Sequence, residues 1–469
     1  MRLNYDFKSI IENLIEKLLN FFLLSIKKKS KINLIIKKFE NESDTIKLKK
    51  LQNLQLKHNS NPIPTLKIAE ILFKQNDLNW INISKSYLEK IKIWKKKIKN
   101  KKIDNYQFVG EEFITGAFGN YWDIKNLIDL NETYFGVKKK ICILKTSSFK
   151  ITNKSYFEYF KPSIRLITNE KEKKTFHKFN NILKLPLGLF LPVKSEPIFR
   201  EFIPSLILNR YPNKKIKYFK LKKKHLQIGE KFLRKIGLKR KDWFVTLHVR
   251  ESLKEKTQEN FRNSNPLNFV KAVETITSKG GFVFRMGDNR SSIMPKMKNF
   301  FDYAHSEYKS EILDIFLAAK SKFCIGTPSG FYPVAGAFGV PVLLTNLAQF
   351  TTLLSLNSHD IVIPRLIKKK KNSKYVKFKQ IFSGPFFWFY SDQQFKKNGV
   401  VSVENDENDI CSGVEEMINK ILINNGKTIL QKKVDKIVEN EVGKLHKIKI
   451  SPLASISNSY LKRHKKHLI

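Results

Sequence analysis

The chain has 469 residues, 41% of them hydrophobic, with 37 Phe and a formal net charge of +47. That length can hold two or three cores, and that apolar share excludes an intrinsically disordered chain. Only 12 of the 89 basic residues are Arg, the other 77 being Lys spread along the whole sequence, so the charge reads as a solvated lysine surface and no nucleic-acid partner is expected.

Residues 1–102 read as a lysine-rich helical extension. Ile10, Ile11, Leu14, Leu18, Phe21, Phe22 and Ile26 recur at helical spacing ahead of Lys27-Lys28-Lys29. That stripe suits either a helix packed on the rest of the chain or a peripheral contact with an anionic membrane, and both stay open. Glu12, Glu16 and Lys17 break it as a signal peptide, and no run approaches the ~18 apolar residues of a spanning helix. Cys142, Cys324 and Cys411 are far apart, with neither metal spacing nor a disulfide framework, which suits buried thiols in a reducing compartment. A cytoplasmic location follows, with a peripheral place at the inner membrane as the open option.

Residues 103–238 form an expected first domain. Tyr106–Val109 and Ile141–Leu144 are strand-like and flank a glycine loop, Thr115–Asn120, and a helix from Tyr121 to Leu130. Strand, loop, helix and strand make a βαβ unit. The stretch 183–193 has two prolines and a glycine and resists assignment; Phe219–Gly237 reads as a bridging helix.

Residues 239–445 form an expected second domain with a clearer pattern. Strands are expected at Phe244–His248, Phe282–Arg285, Phe323–Ile325, Val342–Leu344 and Ile361–Ile363. Asn265-Pro266 opens the first intervening helix and Gly280-Gly281 closes it; Ser310–Lys320 and Phe331–Phe338 are the next two. Alternating βα units of this length predict a doubly wound parallel sheet. The acidic run at 406–409 reads as the cap of a helix over Ile410–Ile421 and gives no metal geometry, and 446–469 reads as a basic, weakly patterned tail.

Three strand ends carry the polar groups: Thr246-Leu247-His248-Val249-Arg250, Phe284-Arg285-Met286-Gly287-Asp288 and Gly326-Thr327-Pro328-Ser329-Gly330. Ligands of open α/β sheets sit at such carboxyl ends. Four of the scarce arginines, Arg250, Arg262, Arg285 and Arg290, fall within 41 residues, and a planar fork suits phosphate. The Gly326–Gly330 turn, opening a helix, offers backbone N–H groups to an anion but is neither a Walker loop nor a dinucleotide fingerprint. A nucleotide sugar is the ligand that combination suits best. Arg250, Arg285 and Glu251 are the expected catalytic set. His248, Arg262, Asn263, Gly287, Asp288, Gly326, Thr327, Ser329 and Gly330 are expected to bind the donor, with Asp288 toward the nucleoside.

The order of these segments resembles the donor half of GT-B glycosyltransferases, particularly fucosyltransferase-like enzymes with a His-x-Arg motif. More closely, Thr246–Asn346 resembles a bacterial family of glycosyltransferases of surface polysaccharide synthesis. The phrases are His248-Val249-Arg250-Glu251-Ser252, Arg262-Asn263-Ser264, Arg285-Met286-Gly287-Asp288, Asp302–Ser306, Lys309-Ser310, Asp314–Leu317, Gly326–Gly330 and Thr345-Asn346. A weaker match runs through Glu404-Asn405 and the helix near Glu415-Glu416. The resemblance implies two Rossmann-like domains with a nucleotide sugar between them and a glycan or lipid-linked acceptor opposite. Gly116, Gly119 and Asn120 are then the acceptor-side loop. Pro328 and the single Arg of His-Val-Arg depart from the fucosyltransferase pattern, and the Gly-Thr-x-Ser-Gly turn also occurs in heptosyl-type transferases. The catalytic base stays open among Glu111, Glu112, Asp123 and Glu251. No Asp-x-Asp accompanies the donor segments, so no metal or other cofactor is expected. A non-enzymatic binder of anionic polymer is the alternative from another class.

Overall fold

A computed structural model describes residues 32–469 apart from 33, 34, 37, 40, 60, 76, 98–105, 117, 146–149, 174–175, 177–190, 194–195, 199, 213–217, 252–259 and 424–425. The amphipathic stretch 10–26 and most of 183–193 lie outside the described residues. The chain divides into two compact units, residues 1–100 with 168–184 and 192–197, and residues 101–167 and 185–191 with 198–469.

The first unit is helical over residues 44–97 and adds a two-stranded sheet, Leu191–Val193 with Glu196–Ile198. Helices α1 (Asp44–Lys57), α2 (Pro62–Lys74) and α3 (Trp80–Lys97) follow one another. Asn61 starts α2 by accepting from the Ile63 N–H at 3.0 Å, and Pro62 supplies a first-turn residue that needs no donor. Phe39, Leu51, Ile68 and Ile71 form one apolar cluster, and Tyr87, Leu88 and Ile91 a second.

The second unit holds two parallel sheets. Strands β1 (Tyr106–Phe108), β2 (Lys140–Leu144) and β3 (Ile164–Ile167) pair in chain order. Between β1 and β2 run the glycine loop and helix α4 (Tyr121–Asp129), as the βαβ pattern predicts. Helix α5 (Lys154–Phe160) then leads to β3, and α6 (Lys223–Lys235) leads to the larger sheet.

That sheet contains β4 (Phe244–His248), β5 (Phe282–Met286), β6 (Phe300–Phe301), β7 (Cys324–Gly326), β8 (Val342–Leu347) and β9 (Ile361–Pro364). Its core strands are mostly apolar and buried along nearly their whole length, as befits strands covered on both faces. Helix α7 (Val270–Ser278) joins β4 to β5, α8 (Glu311–Lys320) precedes β7, and the short α9 (Tyr332–Ala337) joins β7 to β8. Ser310 caps α8 by accepting from the Leu313 N–H at 3.3 Å. An antiparallel ribbon, β10 (Leu366–Lys369) with β11 (Val400–Val403), follows before α10 (Glu407–Ile423) and α11 (Ile429–His446).

The terminal segment corrects the expectation of a weakly patterned tail. Strand β12 (Ser455–Ile456) pairs parallel with β9 and completes a seven-stranded sheet, and α12 (Asn458–Arg463) packs on it with Tyr460 and Leu461 buried. Two residues of strand are too few to announce themselves by alternation. The sheet order is β12-β9-β8-β7-β4-β5-β6. From β4 the chain builds outward through β5 and β6, then returns to place β7 against the other side of β4. The order therefore reverses between β4 and β7, which is the topological switch point of a doubly wound sheet.

Candidate functional site

At that switch point His248 lies opposite Gly326 in the parallel register. The Thr327 N–H donates to the His248 carbonyl at 3.1 Å, and the Arg250 N–H donates to Thr327 Oγ1 at 2.8 Å. The β4 end and the turn after β7 are thus laced together beyond the ladder itself. Ser329 Oγ reaches His248 Nδ1 at 3.1 Å, and the ring stacks on Phe331 with 5.4 Å between centroids and 14° between planes. Burial pulls the His248 pKa down to about 4, aided by Lys309, Arg285 and Arg250 nearby, so the imidazole is neutral at pH 7.

Arg262 and Asn263 come to the same place from the segment ahead of α7. Arg262 Nε donates to the Pro328 carbonyl at 3.0 Å, holding the back of the turn. Arg250 Nη1 donates to Asn263 Oδ1 at 2.5 Å, and the Ser264 N–H donates to the Arg250 carbonyl at 2.9 Å. An Arg side chain beside a Gly/Ser turn at a strand end can donate hydrogen bonds to an oxyanion.

The glycine loop of the small sheet meets this turn. A Cβ on Gly119 would stand 2.8 Å from Gly330 Cα, and one on Gly330 would stand 2.7 Å from the Gly119 nitrogen. Only glycine at both positions lets two backbones approach so closely. Asn120 Nδ2 donates to the Glu112 carbonyl at 3.0 Å, and a Cβ on Gly116 would meet that same carbonyl and amide at 2.7 Å. Gly116 and Asn120 therefore shape the loop itself.

Arg285, Glu251 and Asp288 are placed otherwise than expected. Arg285 is 1% exposed, and its fork is taken by Glu251 at 2.7 Å and Asp302 at 3.3 Å. Glu251 also accepts from the Ser292 N–H at 3.1 Å and from the Ser292 hydroxyl. These two groups satisfy each other beneath the strand ends, because a buried guanidinium is tolerable only when paired. Asp288 is held by Arg290 through Nε at 2.7 Å and Nη2 at 3.0 Å, which keeps its carboxyl down at about 2. Gly287 offers its carbonyl to Lys309 Nζ at 2.6 Å. The second strand end is thus a folded brace, whereas the first and third are hydrogen-bonded to each other.

Two features were not singled out in the sequence as site residues. Asn346, with φ of 56°, exchanges reciprocal hydrogen bonds with Asn405 at 2.6 and 2.7 Å. Arg365, at the end of β9, bonds the Asn263 carbonyl. Its signal was its position: like Arg250 and Arg285, it is a scarce Arg at the end of an apolar strand.

No family model matches the chain, and no curated protein does. Solved structures similar to it include the ADP-heptose lipopolysaccharide heptosyltransferase II of E. coli, at 8% identity and TM-score 0.35, covering 51% of this chain and 84% of that one. An iron-containing dodecameric glycosyltransferase, TibC, from enterotoxigenic E. coli aligns at 13% identity and TM-score 0.36 over 68% of this chain and 75% of its own. A family 9 glycosyltransferase from Veillonella parvula aligns at 11% and 0.36, covering 63% and 96%. Similarity at that level carries no argument for chemistry, which rests on the residues above. No helix among the described residues is long and apolar enough to cross a membrane.

Proposed function

We propose that the chain is a GT-B-type glycosyltransferase that moves a sugar from a nucleotide sugar to a glycan or lipid-linked acceptor of surface polysaccharide. The observation that carries this reading is the convergence of Arg250, His248 and the Thr327–Gly330 turn at the switch point of the large sheet. Arg250 and the Ser329 and Gly330 N–H groups would seat the donor's diphosphate and hold the negative charge that grows as the nucleoside diphosphate leaves. His248, kept neutral, would accept or donate a hydrogen bond there without adding charge. Arg262 and Asn263 shape the seat, and the Gly116–Asn120 loop presents the acceptor side. With Glu251 engaged by Arg285, the base falls among Glu111, Glu112 and Asp123. The chemistry so assigned needs no metal or other cofactor, and the enzyme would draw on cytoplasmic nucleotide sugars.

A thermal-shift screen of GDP, UDP, ADP and CMP with their sugars, ADP-heptose included, tests the reading. A ligand at a hundredfold its Kd stabilises by about 2.7 kcal/mol. Arg250→Ala should weaken a responding nucleotide by roughly 10- to 100-fold, the value of one or two charge-assisted hydrogen bonds, without moving the ligand-free melting point. A response to ADP-heptose alone would select heptosyl transfer. Silence toward every nucleotide, with polynucleotide binding that falls steeply in salt, would replace the enzyme by a polymer binder.

A further inference from the structure

We infer that Arg365 is a positioning residue for the diphosphate seat: its buried fork fixes Asn263, and Asn263 in turn aims the Arg250 guanidinium. This rests on the transferase reading above.

Arg365 is 5% exposed and follows the last residue of β9. Its own N–H is held by the Leu347 carbonyl at 2.9 Å, so its root is fixed to β8. Nη2 donates to the Asn263 carbonyl and, at 3.4 Å, to Ser264 Oγ; Nη1 reaches Ser402 Oγ on β11 at 3.5 Å. Nε is buried with no partner. Glu404 and Asp392 favour the charge from a distance, but neither hydrogen-bonds it, and burial pulls the pKa below the usual guanidinium range.

A buried cation bonded only to neutral oxygens is a costly way to fill space. What the fork gains is geometry, because it grips the backbone and side chain of consecutive residues, 263 and 264, from one rigid plane. Both of those residues hold Arg250, Asn263 through its side-chain oxygen and Ser264 through its N–H. The relay Arg365, Asn263-Ser264, Arg250 therefore runs from the end of β9, across the segment ahead of α7, to the end of β4. A Lys at 365 would keep the charge and lose the bridge.

Arg365→Lys is the test, read by calorimetry with inorganic pyrophosphate and the best nucleoside diphosphate, and by amide hydrogen exchange. The Kd for pyrophosphate is expected to rise about tenfold in the otherwise wild-type chain and less than twofold when Arg250 is already Lys. Exchange of the Ser264 N–H is expected to quicken at least tenfold, while that of Leu247 in β4 is unchanged. Equal losses in both backgrounds, or unaltered Ser264 exchange, would overturn the inference. If the wild-type chain binds neither pyrophosphate nor any nucleotide, the transferase reading falls, and Ser264 exchange alone decides the role of Arg365. Should Arg365→Lys fail to fold, Asn263→Ala takes its place: tenfold weaker pyrophosphate binding supports the relay, and undiminished binding refutes it.

Discussion

At the end of β4 the His248 ring sits against Phe331 and beside Ser329, where burial lowers its pKa from 6.5 to about 4. The unfolded chain takes up that proton near pH 6.5 and the folded chain resists it. Stability from this group is therefore complete above about 6.5 and declines as pH falls toward 4, by roughly 3 kcal/mol in all. Urea midpoints measured from pH 7.5 to 4 should show that slope, and His248→Gln should flatten its share of it. Arg285 tests the same level of detail. Its guanidinium is sealed from water while Glu251 and Asp302 are partly exposed, and Asp302 also receives His305 Nδ1 at 2.9 Å. Removing one partner from a buried ion pair costs about 3–5 kcal/mol, so Glu251→Gln should lower the urea midpoint sharply. A Glu251→Gln variant of undiminished stability that no longer transfers sugar would return Glu251 to the catalytic set.

Between elements, the glycine loop meets the turn after β7 backbone to backbone. Here the Cβ of any other residue would press on backbone, which cannot swing aside as a side-chain tip can. Gly119→Ala and Gly330→Ala should each cost about 1–3 kcal/mol in chemical denaturation, whereas Gly426→Ala, with open space around its Cβ, should be neutral. Just after that turn, helix α9 starts with its first donors provided for. The Phe331 N–H is bonded by Ser329 Oγ at 3.4 Å, and Pro333 fills a first-turn position that needs no donor.

Across the second unit, the last fifteen residues close the sheet. Arg463 donates to Asp406 at 2.7 Å and Asp409 at 2.8 Å at the start of α10, and His464 meets Asp409 at 3.0 Å. Glu416, on α10, accepts from Gln431 Nε2, from the Ser457 and Ser459 hydroxyls and from the Asn458 and Ser459 N–H groups, all within 3.2 Å. Ile456, Tyr460, Leu461 and Leu468 are buried with them. At about 1.5–3 kcal/mol for each large apolar side chain, that burial alone rivals the 5–15 kcal/mol net stability of a typical domain. Truncation after Ala454 should therefore abolish a cooperative melting transition in circular dichroism, an outcome a dispensable tail would not give.

The parallel strands, their helices and the polar strand ends were legible in the sequence because each is a local signal. Buried runs such as Phe244–His248 alternate with capped helices, and glycine marks their ends. Local periodicity also located the turn at 326–330 and the Arg-rich stretch beside it. It could not say how each arginine is partnered: Arg250 follows the end of β4 and is half-buried, whereas Arg285 lies within β5 opposite Leu247 and is sealed. Arg250 donates to the Asn263 amide oxygen, and Arg285 is held by two carboxylates. Nor could it reveal that Arg365 reaches back over a hundred positions, or that Gly119 lies on Gly330. The sequence by itself determined an α/β chain with anion-suited groups at strand ends, since hydrophobic period and turn chemistry are set by near neighbours. Tertiary structure alone decided how those groups pair with one another, since charge pairing and backbone approach depend on strand order, which brings distant residues face to face.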